Sequence, residues 1–133
     1  MISLSGKNGC GKSSLIKLIM GNNINYAGDF IKGSNLIISY IPQDTSGLHF
    51  ITMNNIDESL FKAILRKLDF SRIQFEKDIS QLSAGQKKKI MIAKSLCEKA
   101  HLYIWDEPLN YIDIFSRMQI EQLLLKYHPT IIF

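Results

Sequence analysis

Gly6-Lys7-Asn8-Gly9-Cys10-Gly11-Lys12-Ser13 decides the fold of this chain. Three glycines are spaced so that the backbone can curl into a loop, and a lysine and a serine close it. The glycines let backbone N–H groups turn inward around an anion without a clashing Cβ. An apolar run from Met1 to Leu4 precedes the loop, and a helical pattern from about Lys12 to Met20 follows it. The start of that helix adds a partial positive charge facing the same anion. Strand, glycine loop and helix in this order make a phosphate loop. Lys12 is placed to reach the β and γ phosphates of a nucleotide, and the Ser13 hydroxyl to ligate Mg2+. Gly6, Asn8, Gly9, Cys10, Gly11, Lys12, Ser13 and Ser14 are the candidate phosphate contacts. A glycine-rich turn with a chance lysine is the competing reading, and the flanking strand and helix disfavour it.

Outward from the loop, strands alternate with helices. Ile2 to Ser5 reads as a short buried strand, and the helix after the loop carries Leu15, Ile16, Leu18 and Ile19 as its apolar positions before Gly21 stops it. Asp29 to Lys32 and Leu36 to Ile41 read as two strands around Gly33-Ser34-Asn35, the second ended by Pro42. Residues 44–55 are irregular. Asp57 is a fair N-cap for a helix to about Leu68, with Leu60, Phe61, Ile64, Leu65 and Leu68 on one side. A further helix runs from near Ser83 to about Lys99, Leu102 to Trp105 is a buried strand, Asp113 to Tyr127 a helix and Thr130 to Phe133 a strand. This order predicts an α/β fold with a parallel sheet. The core is expected from residues 1–43 and 96–133, with a helical subdomain inserted at about 44–95.

Leu102-Tyr103-Ile104-Trp105-Asp106-Glu107 carries the second chemical element. A buried strand delivers Asp106 to its carboxyl end, where it can hold the Mg2+ shell, and Glu107 can act as base or orienter for a water attacking the γ-phosphate. Two exposed carboxylates at a strand end are unremarkable alone; coupled to a phosphate loop they are not.

The third element, Leu82-Ser83-Ala84-Gly85-Gln86, opens a helix shortly before that strand and resembles the signature sequence of ATP-binding-cassette (ABC) proteins. Gln43, after Tyr40-Ile41-Pro42, stands where that family has its Q-loop glutamine. The resemblance implies a P-loop NTPase core that binds ATP with Mg2+ and hydrolyses it, with Ser13, Gln43 and Asp106 at the metal and Glu107 and Gln43 at the attacking water. It also implies head-to-tail pairing with a second ABC cassette. Ser83, Gly85 and Gln86 of one cassette would then cover ATP held by the Lys12 loop of the other. Asp113, in Pro108-Leu109-Asn110-Tyr111-Ile112-Asp113, resembles the D-loop that crosses such an interface.

That last segment looks like the ABC-F branch, soluble twin-cassette proteins that act on ribosomes. Gln81 to Ile90 followed by Ala93 to Ala100 is similar to its antibiotic-resistance members, the Lsa-like ribosomal protection proteins, and fits their C-terminal cassette. The resemblance implies a full protein that binds the ribosomal exit site, contacts P-site tRNA and helps dislodge lincosamides, pleuromutilins and group A streptogramins. Gln86 and Ala84 depart from many ABC-F signatures, which have glutamate and glycine there. An adenine-stacking aromatic upstream of the loop and a switch histidine are missing, and His128 precedes the final strand instead of following it. The apolar ends at Met1 and Phe133 read as strands cut from a longer protein, so a fragment truncated at both ends, with little or no ATPase activity alone, is expected. The ATPase subunit of a membrane transporter and an inert truncated product are the alternatives.

Composition sets the outer bounds. At 133 residues there is room for one domain, and 46% hydrophobic with 21% charged residues argues against disorder. A net charge of +4 and an isoelectric point near 9.1 permit a polyanionic partner. Cys10 and Cys97 sit in unlike contexts, so no disulfide is expected and a reducing cytoplasm fits. No apolar run approaches the roughly 18 residues of a membrane span, so any membrane contact would come from another segment. Lys87, Lys88 and Lys89 are expected on a solvated helix face. His49 and His101 lack metal-ligand partners, Trp105, Phe61 and Phe115 are expected in the core, and Tyr111 is expected at an interface. Cys10 lies beside the phosphates, with nothing to mark it as catalytic.

Overall fold

A computed structural model describes residues 1–7, 9–48 and 51–133. The readings at Asn8 and His49 therefore lie outside the described residues. A three-stranded parallel sheet forms the centre: β1 (Ile38–Ile41), β2 (Leu102–Trp105) and β3 (Ile131–Ile132), in that spatial order. Ile38 pairs with Leu102 and Ile41 with Trp105, while Tyr103 pairs with Ile131. Beyond β3, in place of the buried strand expected over Ile2 to Ser5, an exposed Ile2 forms a single parallel bridge to Ile132, and the Leu4 amide donates to the Phe133 carbonyl at 2.6 Å. The segment leading into the glycine loop thus lies at the far side of β3 from β2. All four segments run the same way, so their carboxyl ends open on one edge of the sheet, where α/β folds bind ligands.

The helices are α1 (Lys12–Ile19), α2 (Glu58–Lys67), α3 (Arg72–Phe75), α4 (Ala84–Cys97) and α5 (Ile114–Tyr127). Local chemistry explains their starts. Asp57 caps α2 by accepting from the Ser59 and Leu60 amides, and Ser83 caps α4 in a reciprocal box with Gln86. Asp113 caps α5 through the Ser116 amide. Ser71 and Gln74 form a second box at α3, a short helix that the apolar pattern of the sequence does not mark. One contiguous core joins Phe61, Ile64, Leu65 and Leu68 from the α2 region to Ile92 and Ala93 of α4, Ile41 and Trp105 of the sheet, and Ile120 and Leu124 of α5.

Several expectations do not hold. No strand forms at Asp29–Lys32: Phe30 and Ile31 are exposed, and without a neighbouring strand an extended segment has no partner for its amides. Leu60 on α2 and Leu15 on α1 turn to solvent, because Phe61, Ile64 and Ile16 take the inward positions. Phe115 is 56% exposed instead of core; Ser116, its neighbour, faces inward and donates to the Leu68 carbonyl.

The largest correction concerns Lys87, Lys88 and Lys89. All three are buried, and Lys88 is only 1% exposed. Successive helical residues point about 100° apart, so three in a row reach three different neighbours. The Lys87 amine donates to the Ser46 carbonyl at 2.9 Å, Lys88 to the Pro42 and Gln43 carbonyls at 3.0 and 2.8 Å, and Lys89 pairs with Asp113 at 2.9 Å. α4 is packed on most sides, and its lysine stems act as struts to surrounding loops.

A second polar cluster ties α4 to the sheet. The Trp105 indole N–H donates to Ser95 Oγ at 2.9 Å, and Ser95 Oγ meets Ser39 Oγ at 2.6 Å. Ser39 in turn donates to Glu98, which also pairs with Lys94. Every buried polar atom in this cluster is satisfied, so it fixes the register of β1 against α4 without a desolvation cost left over.

Candidate functional site

The glycine loop ends where α1 begins. Gly11 sits at φ 101° and caps α1 with no side-chain bond, and the first-turn amides of Lys12, Ser13 and Ser14 have no hydrogen-bond partner among the described residues. Gly9, at φ 81°, makes the other left-handed turn. A side chain would be strained at either position. The Lys12 amine folds back to donate to the Gly6 carbonyl at 2.8 Å, which holds its charge over the loop. Gly6 serves differently: an added Cβ would lie 2.5 Å from Cys10 Sγ.

β1 and β2 deliver their ends to the same place. The Asp106 amide donates to the Ile41 carbonyl at 2.9 Å, which sets Gln43 beside Asp106 and Glu107. A cleft of about 360 Å³ is lined by Gly9, Gly11, Lys12, Ser13, Ser14, Gln43 and Glu107. An adjoining depression of about 220 Å³ is lined by Lys12, Asp106, Glu107 and Asn110 among others. Residues predicted from three separate segments are brought together here.

Glu107 adopts φ 47°, a left-handed conformation that costs a non-glycine residue on the order of 1–3 kcal/mol. This backbone turn takes it out of the strand path and into the cleft. Gln43 Nε2 donates to Glu107 Oε2 at 3.0 Å, and Asn110 Nδ2 donates to the same oxygen at 2.5 Å. Asn110 is a site residue that sequence reasoning missed. The signal was its position, three residues after Glu107, where a turn brings side chains together; the Asn110 amide closes that turn on the Glu107 carbonyl at 3.3 Å.

The electrostatics follow from burial and neighbours. Burial raises the Asp106 carboxyl above its ordinary range, Glu107 raises it further, and Lys88 and Lys12 pull it back. Burial depresses the Lys88 amine, opposed by Asp106, Asp44 and Glu107. Tyr40 is raised by burial and by Asp106. Two carboxylates thus sit close together at the strand end, and oxygen donors of this kind suit a divalent cation. Among the described residues no three His, Cys, Asp or Glu side chains converge. A metal here would take oxygen ligands from Asp106, Ser13, the Gln43 amide oxygen and a nucleotide phosphate, a donor set that fits hard Mg2+.

Ser83, Gly85, Gln86 and Asp113 do not line that cleft. The Ser83 amide donates to Gln86 Oε1 at 2.9 Å and the Gln86 amide to Ser83 Oγ at 3.2 Å, so each side chain is engaged within its own helix start. Gly85 is pressed against the Asn110–Ile112 turn, where a Cβ would meet the Tyr111 carbonyl oxygen at 2.4 Å. Asp113 caps α5 and pairs with Lys89, and its carboxyl is held far below the usual range, first by the Ser116 amide and then by Lys89. Tyr111 is 75% exposed beside these groups.

A family profile described as ABC transporter matches residues 1–110. The chain belongs to the ABC family of ATPases. Over 98% of its length this ABC domain is 30% identical to ABC transporter F family member 2 of Arabidopsis thaliana, of which it covers 21%. It is 34% identical to the zinc import ATP-binding protein ZnuC of Rickettsia bellii, over 92% of this chain and 56% of that protein. The chain thus spans about a fifth to a little over half of these relatives. Among solved structures it resembles an archaeal ribosome recycling factor, described in complex with the ribosomal stalk protein aP1. The TM-score is 0.79 with 26% identity, over 98% of this chain and 28% of that one. The α/β fold with a parallel sheet is the P-loop NTPase fold of ABC nucleotide-binding domains. No helix among the described residues is long and apolar enough to cross a membrane.

Proposed function

We propose that this ABC domain is one ATP-binding, Mg2+-dependent hydrolytic cassette of an ABC-F protein that acts on the ribosome in the cytoplasm. The observation that carries the chemistry is the common cleft of Lys12, Ser13, Gln43 and Glu107 at the carboxyl ends of parallel strands. In this reading the amides after Gly11 and the Lys12 amine bind the β and γ phosphates. Ser13, Gln43 and Asp106 hold Mg2+, which supplies charge neutralisation on the phosphates when bound. Glu107 accepts the proton of the attacking water, with Gln43 orienting it. Ser83, Gly85 and Gln86 lie off this cleft and serve the site of a second cassette, with Asp113 near the shared interface. Residues of about 44–95 form the helical subdomain that carries them.

The ABC-F assignment is supported by the match to an F family member over nearly the whole chain and by the likeness to a ribosome recycling factor. Within that branch, the segment from Gln81 to Ala100 favours ribosomal protection against antibiotics, with contact to P-site tRNA made by other parts of the full protein. The test is sedimentation of the full-length protein carrying Glu107→Gln, with and without ATP. ATP-dependent migration with ribosomes supports the proposal, and recovery with membranes alone refutes it.

The similarity to ZnuC favours a second reading, the ATPase subunit of a membrane transporter. It shares all of the proposed site chemistry and differs in the partner, so the same experiment separates the two. In either reading Lys12→Ala lowers nucleotide affinity, and an unchanged ATP dissociation constant would count against the phosphate-loop role.

A further inference from the structure

We propose that Asn110 is a positioning residue for Glu107, holding one carboxylate oxygen so that the other is presented to the attacking water. The inference rests on the hydrolytic reading of Glu107 above. Asn110 Nδ2 and Gln43 Nε2 both donate to Oε2, at 2.5 and 3.0 Å, and no donor among the described residues is paired with Oε1. A carboxylate turns easily about its last torsion, which is broad and two-fold. Two amide donors on one oxygen stop that rotation and leave the second oxygen with its acceptor capacity free.

The two donors approach from different elements. Gln43 follows β1, so its grip depends on the loop that Lys88 props through the Pro42 and Gln43 carbonyls. Asn110 belongs to the same turn as Glu107 and is tied to it by the hydrogen bond from its backbone N–H to the Glu107 carbonyl at 3.3 Å. Asn110 therefore keeps the carboxylate aimed even when Gln43 is drawn toward a metal. Glu107 also needs this support because its left-handed backbone at φ 47° directs the side chain without fixing its end. Alanine, leucine or serine at 110 could not supply an amide donor of that reach.

The test is single-turnover ATP hydrolysis and ATP affinity in the full-length protein, for Asn110→Leu, Glu107→Gln and the double variant. Leucine matches asparagine in shape and lacks the donor. The expected result is a hydrolysis rate lowered on the order of 10²-fold by Asn110→Leu, the scale at which misplacement of a reacting group is felt. ATP affinity stays within about two-fold in this expectation, since positioning acts on the transition state. In the Glu107→Gln background Asn110→Leu causes no further loss, because residues acting as a unit are not additive. An unchanged rate for Asn110→Leu, beside a Glu107→Gln variant that does not turn over, overturns the role of Asn110 alone. Normal hydrolysis by Glu107→Gln overturns the reading on which it rests. A parallel loss of ATP affinity, or an additive loss in the double variant, marks damage to the fold and also overturns positioning.

Discussion

Replacing Lys88 with methionine should destabilise the chain by about 2 kcal/mol, although lysines are ordinarily neutral to replace. Methionine nearly matches the lysine stem in length, so packing is kept and the amine is lost. The amine donates to the Pro42 and Gln43 carbonyls at 3.0 and 2.8 Å. Hydrogen bonds to a charged group contribute about 1.5–3 kcal/mol each, and a carbonyl stripped of its donor costs about 1–3 kcal/mol. Against this, methionine removes the cost of burying an ammonium, several kcal/mol in the interior; that cost is visible as the depressed basicity of Lys88. Asp106, Asp44 and Glu107 return part of it, and water can reach the strand end at Gln43, so the balance falls near 2 kcal/mol and not higher. Trp105, the single tryptophan and 1% exposed, reports unfolding by fluorescence in urea. The midpoint should fall with the slope unchanged. A change within about 0.5 kcal/mol, the behaviour of a surface substitution, would refute the strut.

Gly85→Ala places a Cβ 2.4 Å from the Tyr111 carbonyl oxygen, so urea unfolding should show a loss of about 1–3 kcal/mol; a gain, as expected for alanine in an open helix, would contradict the close approach. Asp113→Ala removes the α5 cap and should cost about 1–2 kcal/mol in the same assay. The folded pKa of Asp113 lies below its unfolded value near 3.9, so its stabilisation is complete above that pH and is lost as pH falls toward the lower folded value. The stability difference between the native chain and Asp113→Asn should therefore shrink below about pH 4, and a constant difference would contradict the assignment. Burial and nearby Asp57 and Glu98 push the Cys97 thiol up to about 11, whereas Cys10 is exposed. Iodoacetamide at pH 8 should label Cys10 and spare Cys97, read by mass spectrometry, with labelling slowed by ATP.

Much of the cleft was legible because its chemistry is local in sequence. Gly9 and Gly11 must turn left-handed, and Lys12 to Ser14 must open a helix; the nine consecutive residues from Gly6 to Ser14 carry that information. Capping did the same for Asp57, and the helix starts expected near Ser83 and Asp113 prove to be capped by those side chains, each reaching an amide three residues ahead. Asp29–Lys32 failed for the opposite reason. A strand exists only with a partner, and strand propensity does not supply one.

What tertiary structure alone decided is the company each residue keeps. Sequence order places the phosphate loop first and β3 last, yet β3 lies between β2 and the segment leading into the loop. Lys87, Lys88 and Lys89 read as a solvated run because nothing in their own stretch announces that α4 is enclosed on most sides. Their burial depends on carbonyls at Pro42, Gln43 and Ser46 and on a carboxylate at Asp113, far away in sequence. Asn110 and Gln43 meet on one oxygen of Glu107 only because β1 and β2 pair in register. Sequence by itself determined which groups could bind phosphate, cap a helix or accept a proton, since those capacities reside in side chains and short backbone turns. Tertiary packing decided which of them share a cleft, because hydrogen bonds and desolvation act over a few ångströms of space, whatever the separation along the chain.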